Sequence, residues 1–344
     1  MNARQAMVST RNGRPLPVCV CYGQERFLVQ EFIQFVIEHT IEPEYRDLAL
    51  IRYQLRDTPL AEVLDDAETA PFLSPRKLIV AEDAFFLTGA KDKGKAEHDV
   101  ERLQRYLHSP ADYTILIFTV EADKLDERKK VVKTLKAADA LIPFQPMEPD
   151  AVLKWIRTRA GKRGVSIGDE AAGLMLFNTG AHLQQIAAEL DKCCTYAGEG
   201  GEITPDAVKQ LVPRTVEQNV FVLIDHIVRQ RHDQAVSLFF ELLGQREEPV
   251  KILALLVRQF RLVLQAKWLG GQGANRQQLA AQLGVHPYAA QLAYEQSRHY
   301  DERQLARILE QLAELDYRMK TGKVDKALGL ELFLLGLKGG LPVA

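Results

Sequence analysis

The sequence predicts a doubly wound parallel α/β domain followed by an all-helical remainder, and three observations carry that reading. Short apolar runs alternate with helix-spaced segments as far as residue 144. Strands separated by helices are the pattern of a parallel sheet covered on both faces. Pro143, Pro146 and Pro149 then punctuate the chain, and beyond them the periodicity is helical, with no strand pattern surviving.

Pro17–Tyr22 is an unbroken apolar run that stops at Gly23, as a strand buried on both faces reads. Residues 24–39 set Phe27, Leu28, Phe32, Phe35 and Val36 at helical spacing. Asp47–Tyr53 is the next strand, and a short helix follows at about 59–67. The stretch Ala70-Pro71-Phe72-Leu73-Ser74-Pro75-Arg76 leads into a strand at 78–81. Residues 88–98, rich in Gly and Lys, read as an exposed loop. A helix at about 97–107 precedes the strand 113–120, a basic helix opens at Asp123-x-x-Asp126 and runs to about 138, and 140–144 is a fifth strand.

Beyond the prolines, helices are expected at about 149–163, 169–178, 182–197 and 205–211. Gly164, Gly180 and Gly198-Glu199-Gly200-Gly201 are the stops, and Thr204-Pro205-Asp206 is a cap with Pro at the first helical position. This small helical domain ends at Pro213. The last third reads as helices at about 215–231, 233–244, 249–269, 276–284, 286–299, 301–320 and 325–338. The helix after Glu248-Pro249-Val250 is apolar around much of its circumference, which places it inside a large bundle or at a subunit contact. Three domains result: 1–146, 147–213 and 214–344.

At 344 residues, 47% hydrophobic and 26% charged, the chain has the make-up of a globular protein of two or three domains. No apolar run approaches the roughly 20 residues of a membrane helix, and Met1–Pro17 lacks a signal-peptide core; the cytoplasm is the expected compartment, with no membrane partner. The net charge of −2 is not that of a general nucleic-acid binder. Its distribution tilts: residues 214–344 hold 17 Lys/Arg against 14 Asp/Glu, and residues 1–146 hold 20 against 23. The four cysteines, Cys19, Cys21, Cys193 and Cys194, include no C-x-x-C pair and read as small core residues.

The Phe72 stretch is the most informative. Each flanking Pro fixes its own φ and biases the residue before it toward extended backbone, so Phe72-Leu73 lies on a stiff, non-helical tip. Side chains there either tuck into the core or project as an anchor for a partner's groove. The residues alone leave both open.

The first strand, Gly23 and the following helix form the frame in which a nucleotide-binding αβ domain carries its phosphate loop. Such a loop needs glycines, a Lys and a Ser/Thr to hold phosphate and Mg²⁺. Here Gly23-Gln24-Glu25 offers one glycine and a carboxylate, so ATP binding is not expected. Glu82-Asp83 resembles the acidic end of a Mg²⁺-holding strand but reads as a solvated strand terminus. None of the eight histidines falls in a metal-binding spacing, no G-x-S-x-G occurs, and Ser74 has no readable base. No catalytic residue, metal or cofactor is expected. Gln278-Leu279-Ala280-Ala281-Gln282-Leu283-Gly284-Val285-His286-Pro287 has the rhythm of a helix-turn-helix, but Pro287-Tyr288-Ala289-Ala290 gives a recognition helix no base-reading residues. Lys320, Lys323 and Lys326 gather three cations in one inter-helix turn, where a solvated loop or a phosphate contact is expected.

In their order along the chain, several segments resemble one family. They are Tyr22–Leu28, Ala70–Ser74, Ala122–Lys130, Glu217–Phe221, Glu248–Leu253, Arg258–Arg261 and Lys320–Lys323. The chain is similar, over nearly its whole length, to the delta subunits of bacterial DNA polymerase III clamp loaders. That resemblance implies a P-loop-NTPase-like (AAA+-type) domain at 1–146, a helical lid at 147–213 and a helical collar at 214–344 where subunits assemble. It implies a subunit of a DNA-directed DNA polymerase holoenzyme that hydrolyses no ATP itself and has no catalytic site of its own. Such a subunit opens the ring-shaped sliding clamp (beta) for loading onto primed DNA by pushing an apolar tip into a pocket on the ring. Phe72 falls on the family's anchor aromatic; Leu73 and Pro71 flank it, whereas the family's pair is often Leu-Phe or Phe-Phe, so Leu73 is the better second anchor. The implied partners are the sliding clamp, the delta prime and gamma/tau subunits through the collar, and primer–template DNA within the assembly. An active ATPase of the same architecture and a helix-turn-helix regulator are the alternatives.

Overall fold

The computed structural model describes residues 1–90, 94–229, 231–271, 276–285 and 287–337. These fall into two compact units, Met1–Met147 and Glu148–Ala344.

The first unit runs α1 (Ala3–Arg11), β1 (Val18–Tyr22), α2 (Arg26–Thr40), α3 (Arg46–Ala49), β2 (Leu50–Gln54), α4 (Leu60–Glu68), β3 (Lys77–Glu82), α5 (Val100–Tyr106), β4 (Thr114–Val120), α6 (Lys130–Ala137) and β5 (Leu141–Pro143). Its five strands are all parallel, in the order β2-β3-β4-β1-β5. Both faces are buried, and the alternation along each strand shows how. Val18, Val20, Ile79, Ala81, Leu116 and Phe118 pack with α4, α5 and α6 on one side. Cys19, Cys21, Leu78, Val80, Ile115 and Ile117 pack with α1 and α2 on the other. The period of two sends neighbouring residues to opposite faces, so a strand covered twice must be apolar at every position. The four cysteines are free and buried; burial pushes the Cys21 thiol well above its ordinary range.

Three local expectations change. The second strand begins at Leu50, because Arg46–Ala49 completes a helical turn with Leu48 turned to solvent. The basic helix starts at Lys130, and residues before it are held in a loop by Asp126, whose amide donates to Leu87 O at 3.0 Å and whose carboxylate accepts from Arg128. The helix α1 is not foreseen by periodicity; an Asn2–Gln5 capping box starts it.

The second unit begins with α7 (Pro149–Lys162), α8 (Asp169–Thr179), α9 (Leu183–Ala197) and α10 (Pro205–Leu211). A two-residue parallel pairing of β6 (Ser166–Ile167) with β7 (Glu202–Ile203) corrects the expectation of no strand here; two residues are too few to leave a period. Thr204 caps α10 with Pro205 first in the helix, as read. The unit continues with α11 (Val216–Val228), α12 (His232–Gly244), α13 (Pro249–Gly271), α14 (Arg276–Leu283), α15 (Pro287–Ser297), α16 (Glu302–Lys320) and α17 (Lys326–Gly336). The broadly apolar α13 packs against α11, α14, α15, α16 and α17, so a bundle core accounts for its composition. Its buried Gln259 donates to Gln296, which donates to the carbonyl of Phe221, leaving those buried amides partnered. Phe177 of α8 meets Phe221 of α11 edge-on at 5.6 Å. No described helix is long and apolar enough to cross a membrane.

Candidate functional site

Helix α4 carries Leu60, Val63, Leu64 and Ala67 at i, i+3, i+4 and i+7, and all four are fully buried. It ends because Thr69 is extended and Pro71 disfavours helical backbone at Ala70. The last carbonyls of a helix have no partner within it, and here four side chains supply them. Thr69 Oγ1 donates to Asp65 O at 2.8 Å, Lys77 Nζ donates to Asp66 O, Thr114 Oγ1 to Ala67 O at 2.8 Å, and Tyr113 Oη to Glu68 O at 2.6 Å. Lys77, the first residue of β3, is 3% exposed, and its ammonium also pairs with Asp66 Oδ1 at 2.7 Å. Tyr53 donates to Asp66 Oδ2 at 3.1 Å; burial, and then the charge of Asp66, push its phenol up to about 12. From outside, Arg102 of α5 holds Asp65 at 2.7 Å and Glu68 at 2.8 Å.

Between this fixed helix end and β3 the chain makes its tip. Phe72 is 96% exposed and Leu73 57% exposed; Pro71 is half-buried and Pro75 exposed. Ser74 closes the turn, its Oγ donating to Arg76 O at 2.6 Å. Lone apolar residues on a surface are ordinary. Here a neighbouring Phe and Leu stand exposed together on a proline-braced tip rooted in a fully bonded helix end.

At the carboxyl end of β1 the link to α2 is three residues, Gly23-Gln24-Glu25. Gly23 takes φ +139°, and a Cβ there would collide with the carbonyl oxygen of Phe144. That oxygen accepts the amide of Glu25 at 3.0 Å. Beside the link lies a cavity of about 400 Å³, lined by Arg26, Arg56, Glu82, Asp83 and Glu121 among others. Arg26 pairs with Glu121, and Arg56 pairs with Asp83 at 2.7 Å. Glu82 accepts from Arg52 at 3.1 Å and Gln54 at 2.6 Å, so the acidic strand end is engaged by its own sheet. Each cation lining the cavity faces a carboxylate, where a phosphate would need it unpaired.

Lys320, Lys323 and Lys326 are exposed around the turn between α16 and α17. Lys320 pairs with Asp316 at 2.7 Å, Lys323 lies over the ring of Tyr317 at 5.0 Å, and Lys326 opens α17 behind the cap residue Asp325. A larger cavity of about 480 Å³ in the second unit brings Gln218 and Phe221 together with Arg258, Gln259 and Arg261, two segments far apart in sequence. In the helix-turn-helix-like stretch, α14 and α15 flank Gly284 at φ +65°; His286 and the side chains of Pro287 and Tyr288 lie outside the described residues, as do Gln230 and Lys338, and the helix expected to reach 231 ends at Val228. Among the described residues no group of His, Cys, Asp and Glu could hold a metal ion.

Sequence reasoning misses Lys77, Tyr113, Thr114 and Arg102. Lys77 and Thr114 look like polar strand starts, and only the register, which pairs Lys77 with Thr114 across β3 and β4, shows that both reach the end of α4.

The profile of the DNA polymerase III delta subunit matches residues 20–145, and that of its C-terminal domain matches residues 217–337. DNA polymerase III subunit delta of Bacillus subtilis is 41% identical over 329 residues, covering 96% of this chain and 95% of the relative. A probable DNA polymerase III subunit delta of Aquifex aeolicus is 18% identical over 272 residues, covering 78% and 75%. Among solved structures, the Bacillus subtilis DNA clamp loader delta protein superposes with a TM-score of 0.66 at 40% identity, covering 98% of this chain and 99% of that one.

Proposed function

The chain belongs to the DNA polymerase III delta-subunit family, and on that premise we propose that it binds the sliding clamp through Phe72 and Leu73, with Pro71 at the rim, and holds the ring open for loading onto primed DNA. The observation that carries this reading is the 96% exposure of Phe72 on a tip whose root is fully hydrogen-bonded. Burying a Phe and a Leu in a pocket stabilises a complex by about 1.5–3 kcal/mol each, less the cost of association. A ligand that prefers the open ring shifts the ring's population toward opening by its differential affinity for the two states.

In this reading the chain does no nucleotide chemistry. The short link at Gly23–Glu25 and the paired arginines beside it support that, and ATP would act through partner subunits. Residues 147–213 serve as the lid and 214–344 as the collar that meets the delta prime and gamma/tau subunits, with Lys320, Lys323 and Lys326 facing primer–template DNA in the assembly. The work is cytoplasmic. Capture of a bacterial sliding clamp on the immobilised chain tests the proposal: the clamp is retained by the unaltered chain and lost when Phe72 and Leu73 are both replaced by Ala.

A further inference from the structure

We infer that Lys77, Tyr113 and Thr114 are positioning residues for the Phe72 tip, fixing the end of α4 so that the anchor is presented to its partner already in place; this rests on the clamp-binding reading of Phe72. The tip has two stems, the last turn of α4 and the first residue of β3. Lys77 stands on one stem and bonds the other, through both the carbonyl and the carboxylate of Asp66. Tyr113 and Thr114, at the start of β4, take the next two carbonyls, Glu68 O and Ala67 O. The register sets Thr114 directly beside Lys77, so the same end of the sheet holds both stems. Within the tip itself the bonds are those of Ser74 to Arg76. Direction and height of Phe72 are therefore set at the root.

No glycine-based cap ends α4; the amide of Thr69 takes Asp66 O at 2.9 Å, and the carbonyls of Ala67 and Glu68 would be left to water were the side chains absent. Water satisfies a carbonyl equally well but fixes nothing. The arrangement instead ties helix to strand, which lowers the ordering cost that an apolar anchor meets on binding.

The test uses the full chain and a bacterial sliding clamp. Thr114→Val keeps shape and removes one donor, Tyr113→Phe removes another from a partly exposed site, and Thr114→Ser retains the hydroxyl. We expect the Thr114→Val, Tyr113→Phe double variant to bind the clamp about threefold to tenfold more weakly, with faster amide exchange at Asp65–Thr69. Thr114→Ser should match the unaltered chain in both. Phe72→Ala, by contrast, should lose binding with exchange at Asp65–Thr69 unchanged. A linear peptide spanning Glu68–Lys77, which needs no folding, should bind at least about tenfold more weakly than the chain. If the double variant frays α4 yet binds normally, or the peptide matches the chain, positioning is overturned while the anchor stands. If Phe72→Ala binds normally, the anchor reading fails first and positioning with it.

Discussion

The carbonyl oxygen of Phe144 fills the space that a Cβ on Gly23 would need, and the same oxygen accepts the amide of Glu25 at 3.0 Å. The end of β5 is thereby pressed onto the turn that leaves β1. Gly23→Ala meets both the collision and the positive φ, and should destabilise the first unit by about 2–4 kcal/mol in urea unfolding. Gly173→Ala, in the middle of α8 with nothing near its Cβ position, should instead stabilise by about 0.5–1 kcal/mol.

Mg-ATP should leave the unfolding temperature unchanged. Saturation at a hundred times a dissociation constant adds about 2.7 kcal/mol to stability, an effect thermal unfolding detects readily. A shift of that size would restore the ATPase alternative, with Arg26 and Arg56 released from Glu121 and Asp83.

The sheet is legible in the sequence because a parallel strand buried twice, such as Val18–Tyr22 or Thr114–Val120, must read as an unbroken apolar run. The start of β2 is not, since Asp47-Leu48-Ala49 has strand-like content but finishes a helical turn. Nor is α1, which buries little more than Ala6 and Thr10 and so leaves no apolar stripe to read. At the tip, two prolines and an apolar pair announce a stiff segment, yet only the folded chain shows Phe72 turned outward. Nor are Lys77, Tyr113 and Thr114 legible at its root, because the carbonyls of Asp66, Glu68 and Ala67 that they bond carry no mark in the sequence.

Alkaline titration should show late-titrating tyrosines, Tyr53, Tyr106 and Tyr300 among them. Burial pushes Tyr53, Tyr106 and Tyr300 up to about 12, so each favours its neutral form in the folded chain. Stability from these groups is fully present below the unfolded value near 10 and is lost as pH rises toward 12. Ultraviolet difference absorbance at 295 nm should therefore show a phase that coincides with alkaline unfolding, and Tyr53→Phe should reduce its amplitude.

Charge reversal of Lys320, Lys323 and Lys326 to Glu should weaken primer–template binding by the assembled clamp loader without unfolding this subunit, because all three side chains are exposed. If each meets a phosphate, the slope of log affinity against log salt should fall by roughly 2–3. An unchanged slope would make the turn a solvated one.

The decisive measurement is the dissociation constant of the sliding clamp for the chain with and without Phe72→Ala, read beside the unfolding temperature of each. Removing an aromatic anchor should cost about 2 kcal/mol or more of binding, roughly thirtyfold, and a side chain 96% exposed should leave the fold's stability as it was. Equal affinity for the two proteins, or an unfolded variant, would contradict an anchor at Phe72.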